Sequence, residues 1–324
     1  LIGKIEKALY DINWLDTLGI DKNTVYQFLE SEKFKSNLGS MLMYHIAKKK
    51  GVKVLVGIVG RIGDLFLISE NYHNNSWADA LFTKIEAGKI PAIKLKEAKQ
   101  FLSNFRAQPA PFYLDHSPTK QAVTRKNQLA FLSPKNTIRS VRWFGTMMKN
   151  YFTSKHHDYD DIEPWYYLVD HVKRKTRCLI GYDDLYDKVN EKEDFVFFPL
   201  HYEPEIATML YAPFFTDQIY VIKQIARSLP VHFKLYVKEH PAMVGYRTRA
   251  YYQELKKIPN VKLINPIIPS FALTKNAKLI TTITGTVGWE ALLLGKPVIT
   301  FGDVFYNKIS TVKQCRNIEE LPNL

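Results

Sequence analysis

From Asp194 to Phe301 short apolar runs alternate with stretches of helical periodicity, and this alternation constrains the fold more than any other feature of the chain. Phe195–Phe198, Phe233–Val237, Val261–Ile264, Lys278–Ile283 and Pro297–Phe301 read as strands. Helices are predicted between them over Thr216–Ser228, Tyr246–Lys257, Pro269–Thr274 and Thr286–Leu294. The first carries Ile219, Ile222, Ile225, Ala226 and Leu229 on one face and stops at Pro230; the last stops at Gly295. Strands that alternate with helices through short connections build a parallel sheet with helices on both faces, so 191–324 is predicted to be a Rossmann-like, doubly wound α/β domain. Ligands of such sheets sit beyond the carboxyl ends of the strands.

A length of 324 residues suits two domains, and residues 1–190 read as an N-terminal, acceptor-side domain. Residues 1–50 read as helical, closed by Lys49-Lys50-Gly51, and no opening strand is visible in them. Strands are predicted at Val52–Val59 and Leu65–Ser69, joined by the turn Gly60-Arg61-Ile62-Gly63-Asp64. The stretch 110–190 gives scattered aromatics, basic runs and the acidic turn Asp158–Asp161. An apolar share of 46% excludes disorder over most of the chain, and no fixed-period repeat is visible. No run of 18 apolar residues is present, so no spanning helix is expected. The chain opens on Leu1 without a basic-then-apolar leader and ends at Leu324, and it reads as the ordered part of a longer product.

The formal charge of +13 and a pI of about 9.4 favour acidic partners. Ser117–His157 holds eight Lys or Arg and no Asp or Glu, with Phe131, Trp143, Phe144, Tyr151 and Phe152 interleaved; His171–Arg177 adds a second cluster. Such a stretch is either a solvated helix face or a surface, spanning 117–177, for anionic lipid or an acidic acceptor. No recognised motif points to nucleic acid. Cys178 and Cys315 stand far apart, which excludes a disulfide framework and a cysteine zinc site and fits a reducing compartment.

Three motifs carry possible chemistry, each at a predicted strand end. Pro199-Leu-His-Tyr-Glu-Pro-Glu205 crowds His201, Glu203 and Glu205 into a loop stiffened by proline. It is a catalytic loop or a plain connector. In Lys238-Glu-His-Pro241, His240 suits a phosphate oxygen, Lys238 adds a charge, and Pro241 opens the next segment; a lone His there is as readily structural. Thr282-Ile-Thr-Gly-Thr-Val-Gly-Trp-Glu290 runs from strand through a Gly turn into a helix, so its exposed N–H groups with Thr284 and Thr286 are expected to form an anion site; the other reading is a capped core helix with Gly at a turn, which does not explain the Thr-Gly-Thr cluster. Gly285 and Gly288 are expected to let a ligand approach the backbone. Glu290 would repel phosphate and is placed on neutral hydroxyls, as of a ribose. The segment lacks the Gly-Lys-Ser/Thr ending of a Walker loop and the spacing of a dinucleotide fingerprint.

These residues resemble a known group. Phe195–Tyr306, through Phe198-Pro-Leu-His-Tyr-Glu-Pro-Glu205, Lys238-Glu-His-Pro241, Thr284-Gly-Thr-Val-Gly-Trp-Glu290 and Gly295-Lys-Pro-Val-Ile-Thr-Phe-Gly302, is similar to bacterial capsule-polysaccharide biosynthesis glycosyltransferases, a group similar to Kdo transferases. The resemblance covers about a third of the chain strongly and the N-terminal part weakly, through Ser40–Gly51 and Gly60–Asp64. It implies a GT-B fold, in which two Rossmann-like domains face each other across a cleft. It further implies that His240-Pro241 and Thr284-Gly285-Thr286 contact the phosphate of a nucleotide-sugar donor, with a CMP-sugar such as CMP-Kdo favoured. It implies nothing firm about the catalytic base.

Independently of the family, sugar transfer needs leaving-group charge stabilised and an acceptor hydroxyl deprotonated. Lys238, His240 and the helix start at Thr284–Thr286 would supply the first. For the second, Asp64 is the first candidate, alongside His201 and Glu203, with Glu70, Asp115 and His116 as fallbacks; Asp64 reads equally as a turn residue. No metal or other cofactor is required by this layout, since Asp158-Tyr-Asp160 has no adjoining strand. The expected partners are a nucleotide sugar and a glycan or lipid-linked acceptor, and the expected place is the cytoplasm, peripheral on the inner face of its membrane. Two rival readings stay open: a CDP-polyol phosphotransferase or sugar-nucleotide epimerase on the same fold, and a non-catalytic basic binding module.

Overall fold

The structure is a computed structural model that describes residues 37–59, 61–62, 66–71, 76–109, 123–153, 163–190 and 192–324. Its internal contacts divide the chain into one unit up to Ser76 and a second that holds Arg61–Gly63 and everything from Trp77 onward.

In the first unit, helix α1 (Asn37–Lys49) ends at the Lys49-Lys50-Gly51 sequence expected to close it, with Gly51 at φ 73°. Strands β1 (Val56–Val59) and β2 (Phe66–Ser69) pair antiparallel, Val56 opposite Ser69 and Val59 opposite Phe66. The Tyr44 hydroxyl donates to Asn71 Oδ1 at 2.8 Å and ties α1 to the end of β2.

The second unit contains the doubly wound sheet. Helices α2 (Ser76–Glu86), which begins at the boundary, α3 (Leu95–Ala107), α4 (Arg125–Gln128), α5 (Pro134–Thr153) and α6 (Pro164–Ile180) lead into it. Then β3 (Phe195–Pro199), α7 (Ile206–Tyr211), α8 (Gln218–Ser228), β4 (Lys234–Lys238), α9 (Arg249–Lys256), β5 (Val261–Ile264), α10 (Ser270–Asn276), β6 (Leu279–Thr282), α11 (Thr286–Leu293), β7 (Val298–Thr300) and β8 (Val312–Gln314) follow. All six strands are parallel in the order β5-β4-β3-β6-β7-β8. The α/β class and the five expected strands are found, and β8 is a sixth that the sequence reading misses.

β3 shows why the apolar runs read so clearly. Phe195 and Phe197 point to one face and pack with Tyr236, Ile264, Leu273 and Ile280; Val196 and Phe198 point to the other and pack with Leu235, Val237 and Ile225. All four are buried, as a strand covered on both faces requires. Of the stripe expected on α8, Ile222, Ile225 and Ala226 are buried and Ile219 and Leu229 lie at its margin, and Val221, outside the expected stripe, is buried with them. Asp217 caps that helix by accepting from Tyr220 N–H at 3.0 Å.

The β5 edge is not left open. Asp187 N–H donates to Leu263 O at 2.7 Å, and Leu263 N–H donates back to Asp187 Oδ2 at 2.9 Å. Lys256 Nζ holds the other carboxylate oxygen at 2.8 Å. One residue thus satisfies the edge groups that would otherwise recruit another chain. Asp187→Ala is expected to cost about 1–3 kcal/mol, and Asp187→Asn, which keeps an acceptor, clearly less; urea unfolding of the two variants measures the difference.

Candidate functional site

The strand order places the site. The chain steps outward from β3 to β4 to β5, then returns to lay β6 on the other side of β3 and steps outward again to β8. The winding therefore reverses between β3 and β6, and ligands of doubly wound sheets bind beyond the carboxyl ends at such a seam. Pro199 pairs with Lys238, so the loops after β3 and β4 leave the sheet at one level.

His201 closes the seam. Its Nε2 accepts from Thr284 N–H at 3.1 Å and lies 3.3 Å from Thr282 Oγ1, joining the β3 loop to the β6 loop. With both neighbours donating to Nε2, the ring proton belongs on Nδ1, which is buried and has no partner among the described residues. Burial pushes the imidazole down to about 3, with the charges of His240 and Arg247 adding to it. A ring so engaged joins the two loops through its Nε2.

Arg247 locks the β3 loop to the β4 loop. It is buried, donating from one nitrogen to Glu239 Oε1 at 2.5 Å and from another to His201 O at 2.7 Å, with Glu203 Oε2 at 3.0 Å. The second Glu203 oxygen accepts from Gln218, whose Oε1 takes His201 N–H at 2.8 Å. Both oxygens of Glu203, expected as a catalytic candidate, thus take part in holding the loop. Burial pushes the Glu239 carboxyl up, while Arg247 and a 2.6 Å hydrogen bond from Tyr252 pull it back. Glu239 also accepts from His240 N–H at 2.6 Å.

His240 Nδ1 accepts from Ala242 N–H at 3.2 Å, which sets the turn opened by Pro241 and leaves the neutral ring its proton on Nε2. Burial lowers its pKa, as do the charges of Arg247 and Lys238. Lys238 is 4% exposed; burial lowers its ammonium to about 8 against the pull of Glu290, and it donates to Ser270 Oγ at 2.8 Å. Glu290 is 3% exposed and burial raises it to about 7, with Arg61 and Lys238 opposing. Its Oε1 and the Thr284 hydroxyl are buried without partners among the described residues.

The two motif glycines lie close against the protein's own side chains. A Cβ on Gly285 would lie 2.6 Å from Thr282 Oγ1 and 3.2 Å from His201 Nε2, and one on Gly288 would overlap the Tyr306 hydroxyl. On the Cβ side of each glycine the space is taken by those side chains. Tyr306 uses that room to donate to Gly285 O at 2.6 Å, fixing the start of α11 where Thr286 stands.

Arg61 enters from a turn that the sequence reading treats only as a turn. It has φ 56°, a conformation few non-glycine residues adopt, and its carbonyl accepts from Trp289 Nε1 at 3.2 Å. Its charge acts on both Glu205 and Glu290. Asp64, Asp115 and His116 lie outside the described residues. Glu70 belongs to the first unit, 3.4 Å from Lys53. The structure thus places Lys238, His240, Thr284, Gly285, Thr286 and Glu290 at the seam, adds Arg61, and ties the His201 and His240 loops to each other through Arg247, Glu239 and Gln218. Glu239 stands inside a quoted motif, but Arg247 and Gln218 carry no local signal, since their partners are distant in sequence. Among the described residues no group of three or more His, Cys, Asp or Glu could hold a metal ion.

Residues 99–318, more than half of the chain, match the family described as capsule polysaccharide biosynthesis protein. The chain belongs to that family. Among curated proteins, FixF of Sinorhizobium fredii is 37% identical over 115 residues, 35% of this chain and 27% of FixF. LipA of Neisseria meningitidis serogroup B, a capsule polysaccharide modification protein, is 33% identical over 72 residues, 22% of this chain and 10% of LipA. The matched stretches thus span less than a third of either relative. Among solved structures, the KpsC beta Kdo 2,7 transferase of Thermosulfurimonas dismutans aligns at 17% identity and TM-score 0.34, over 54% of this chain and 56% of that one.

Two outcomes test the geometry. Arg247→Leu leaves Glu239 buried without its cation and is expected to cost about 3–5 kcal/mol by denaturant unfolding. For His201 the folded pKa lies below the unfolded one, so stability is full above about pH 6.5 and falls as the pH drops toward 3. His201→Gln is expected to flatten that slope in unfolding measured across the window.

Proposed function

We propose that this member of the capsule polysaccharide biosynthesis family is a GT-B glycosyltransferase that moves a sugar from a nucleotide-activated donor to a surface polysaccharide or lipid-linked acceptor. The observation that carries the reading is the seam itself. Among the buried polar atoms without partners in the described residues are His201 Nδ1, Thr284 Oγ1 and Glu290 Oε1, which belong to the seam elements that also carry Lys238, His240 and the first turn of α11. Buried polar groups are as a rule satisfied, and a polar ligand accounts for those that are not.

The chemistry follows from the protonation states. A neutral His240 with its proton on Nε2 donates to a phosphate oxygen without bringing a second buried charge. Lys238 supplies a cation whose desolvation is relieved when an anion arrives. N–H groups at the start of α11 add partial positive charge directed at the same anion. Together they stabilise the leaving phosphate as the glycosidic bond to it breaks. Glu290, held near neutrality, accepts from or donates to sugar hydroxyls. Asp64 stays the proposed base by sequence position, three residues beyond Arg61. A CMP-sugar, such as CMP-Kdo, is the favoured donor through the sequence resemblance.

A thermal-shift series with CMP, CDP, UDP, GDP and their sugars tests this reading. The matching nucleotide at about 100 times its dissociation constant is expected to add roughly 2.7 kcal/mol, and His240→Ala is expected to abolish the shift without unfolding the chain. No shift with any nucleotide overturns the reading. Product analysis with the stabilising donor then distinguishes glycosyl transfer from epimerisation or polyol-phosphate transfer.

A further inference from the structure

Helices α5 and α6 form a paired layer whose outward faces are apolar and cationic at once. The pair is held by edge-on contacts of Trp143 with Tyr167 at 6.2 Å and of Tyr151 with Trp165 at 5.4 Å. On α5 the half-buried positions, Ser140, Phe144, Met147, Met148 and Tyr151, fall on one side. The opposite side repeats at helical spacing as Ile138, Val141, Arg142, Lys149 and Phe152, all exposed, with Val141 at 66% and Phe152 at 73%. On α6 the exposed residues Trp165, Leu168, Val169, Val172 and Leu179 share one side, and Tyr166, Tyr167 and Ile180 are exposed as well.

The structure sorts the basic residues of this region by use. Arg125 donates to Cys178 O and Leu179 O, satisfying carbonyls at the end of α6. Arg174 donates to the Tyr246 hydroxyl at 2.7 Å and Arg177 to Tyr246 O. Lys175 lies over the Phe131 ring at 4.8 Å. These four are fastened to the protein, so the basic stretch is not uniformly a free surface. Lys135, Arg139, Arg142, Lys149 and Lys173 are exposed, and among the described residues none of them is ion-paired. α5 contains no acidic residue, and the one in α6, Asp170, is paired with Arg174 at 2.9 Å.

We propose that the outer face of α5 and α6 docks on an anionic lipid surface, with Ile138, Val141, Phe152, Leu168, Val172 and Leu179 entering the headgroup boundary and the five cations lying over lipid phosphates. Charge complementarity selects the partner. A polyanion such as nucleic acid or an acidic glycan uses the cations but gives nothing to a row of aliphatic side chains. A second copy of the chain would cover the aliphatics but, across a two-fold axis, would set the cation array against itself. A lipid interface accommodates both features. No helix among the described residues is long and apolar enough to cross a membrane, so the contact engages one leaflet. The inference is independent of the nucleotide-binding reading, because it concerns another face and another ligand.

Co-sedimentation of the full chain with phosphatidylcholine vesicles, and with vesicles of phosphatidylcholine and phosphatidylglycerol in equal parts, tests it. Binding is expected only to the second, weakening as salt is raised. Arg142→Gln and Lys149→Gln are each expected to weaken it roughly fivefold, the equivalent of about 1 kcal/mol per cation. Lys257→Gln and Lys313→Gln, equal charge changes elsewhere, should leave it unchanged. Val141→Ser with Val172→Ser is expected to abolish it, while thermal unfolding and any nucleotide-induced shift stay as in the parent chain. Equal binding to both vesicles, no binding to either, or lipid-free dimers dispersed by the Val141→Ser, Val172→Ser pair would each overturn the proposal. So would single-stranded RNA binding that the serine pair leaves intact while vesicle binding is absent.

Discussion

The geometry of the seam depends on one buried cation. Arg247 takes its guanidinium out of water and repays that cost with Glu239, Glu203 and the carbonyl of His201. Buried ion pairs are expensive, and their gain lies less in net stability than in the arrangement they enforce. Here the arrangement makes the loops after two adjacent strands a single rigid piece. His240 is fastened through Glu239 and His201 through its own carbonyl, so neither imidazole has to be ordered when a ligand binds.

Beside that fixed frame sits a second group of charges that is not balanced. Lys238 near 8 and Glu290 near 7 are both displaced toward their neutral forms by burial, although each partly offsets the cost of the other. Arg61 reaches the same carboxylate from a strained turn held by Trp289. Arg247 makes its contacts through two of its nitrogens and keeps a buried Nε without a partner, and Glu290 keeps one oxygen without any, among the described residues. Buried polar groups left incomplete in this way are where a ligand gains most by binding.

Much of this was legible in the chain because central parallel strands must be apolar on both faces. Phe195–Phe198 could hardly be anything else, and the polar motifs stood out by contrast at the strand ends. β8 was missed because it is three residues long, carries Lys313 at its centre and has one exposed edge. α7 was missed because proline and glutamate before it read as loop. The contacts of His201, Glu203 and the two glycines were not legible for a common reason. Residue type and position along the chain reveal that a group is polar or small, but not whether a neighbour from a distant segment already occupies it. Gly288 faces Tyr306, and Glu203 faces Arg247, across separations that no local pattern encodes.

The place where the winding reverses has a further consequence. Each flank of the sheet is added outward, β4 and β5 on one side and β7 and β8 on the other, so a lengthened connection or an extra unit at either margin leaves the central pair β3 and β6 undisturbed. A deletion or insertion between Pro199 and His201, or between Thr282 and Gly285, would by contrast break the hydrogen bond from Thr284 to His201 at once. Natural length variation in such a scaffold should therefore accumulate at its rims and vanish at its middle.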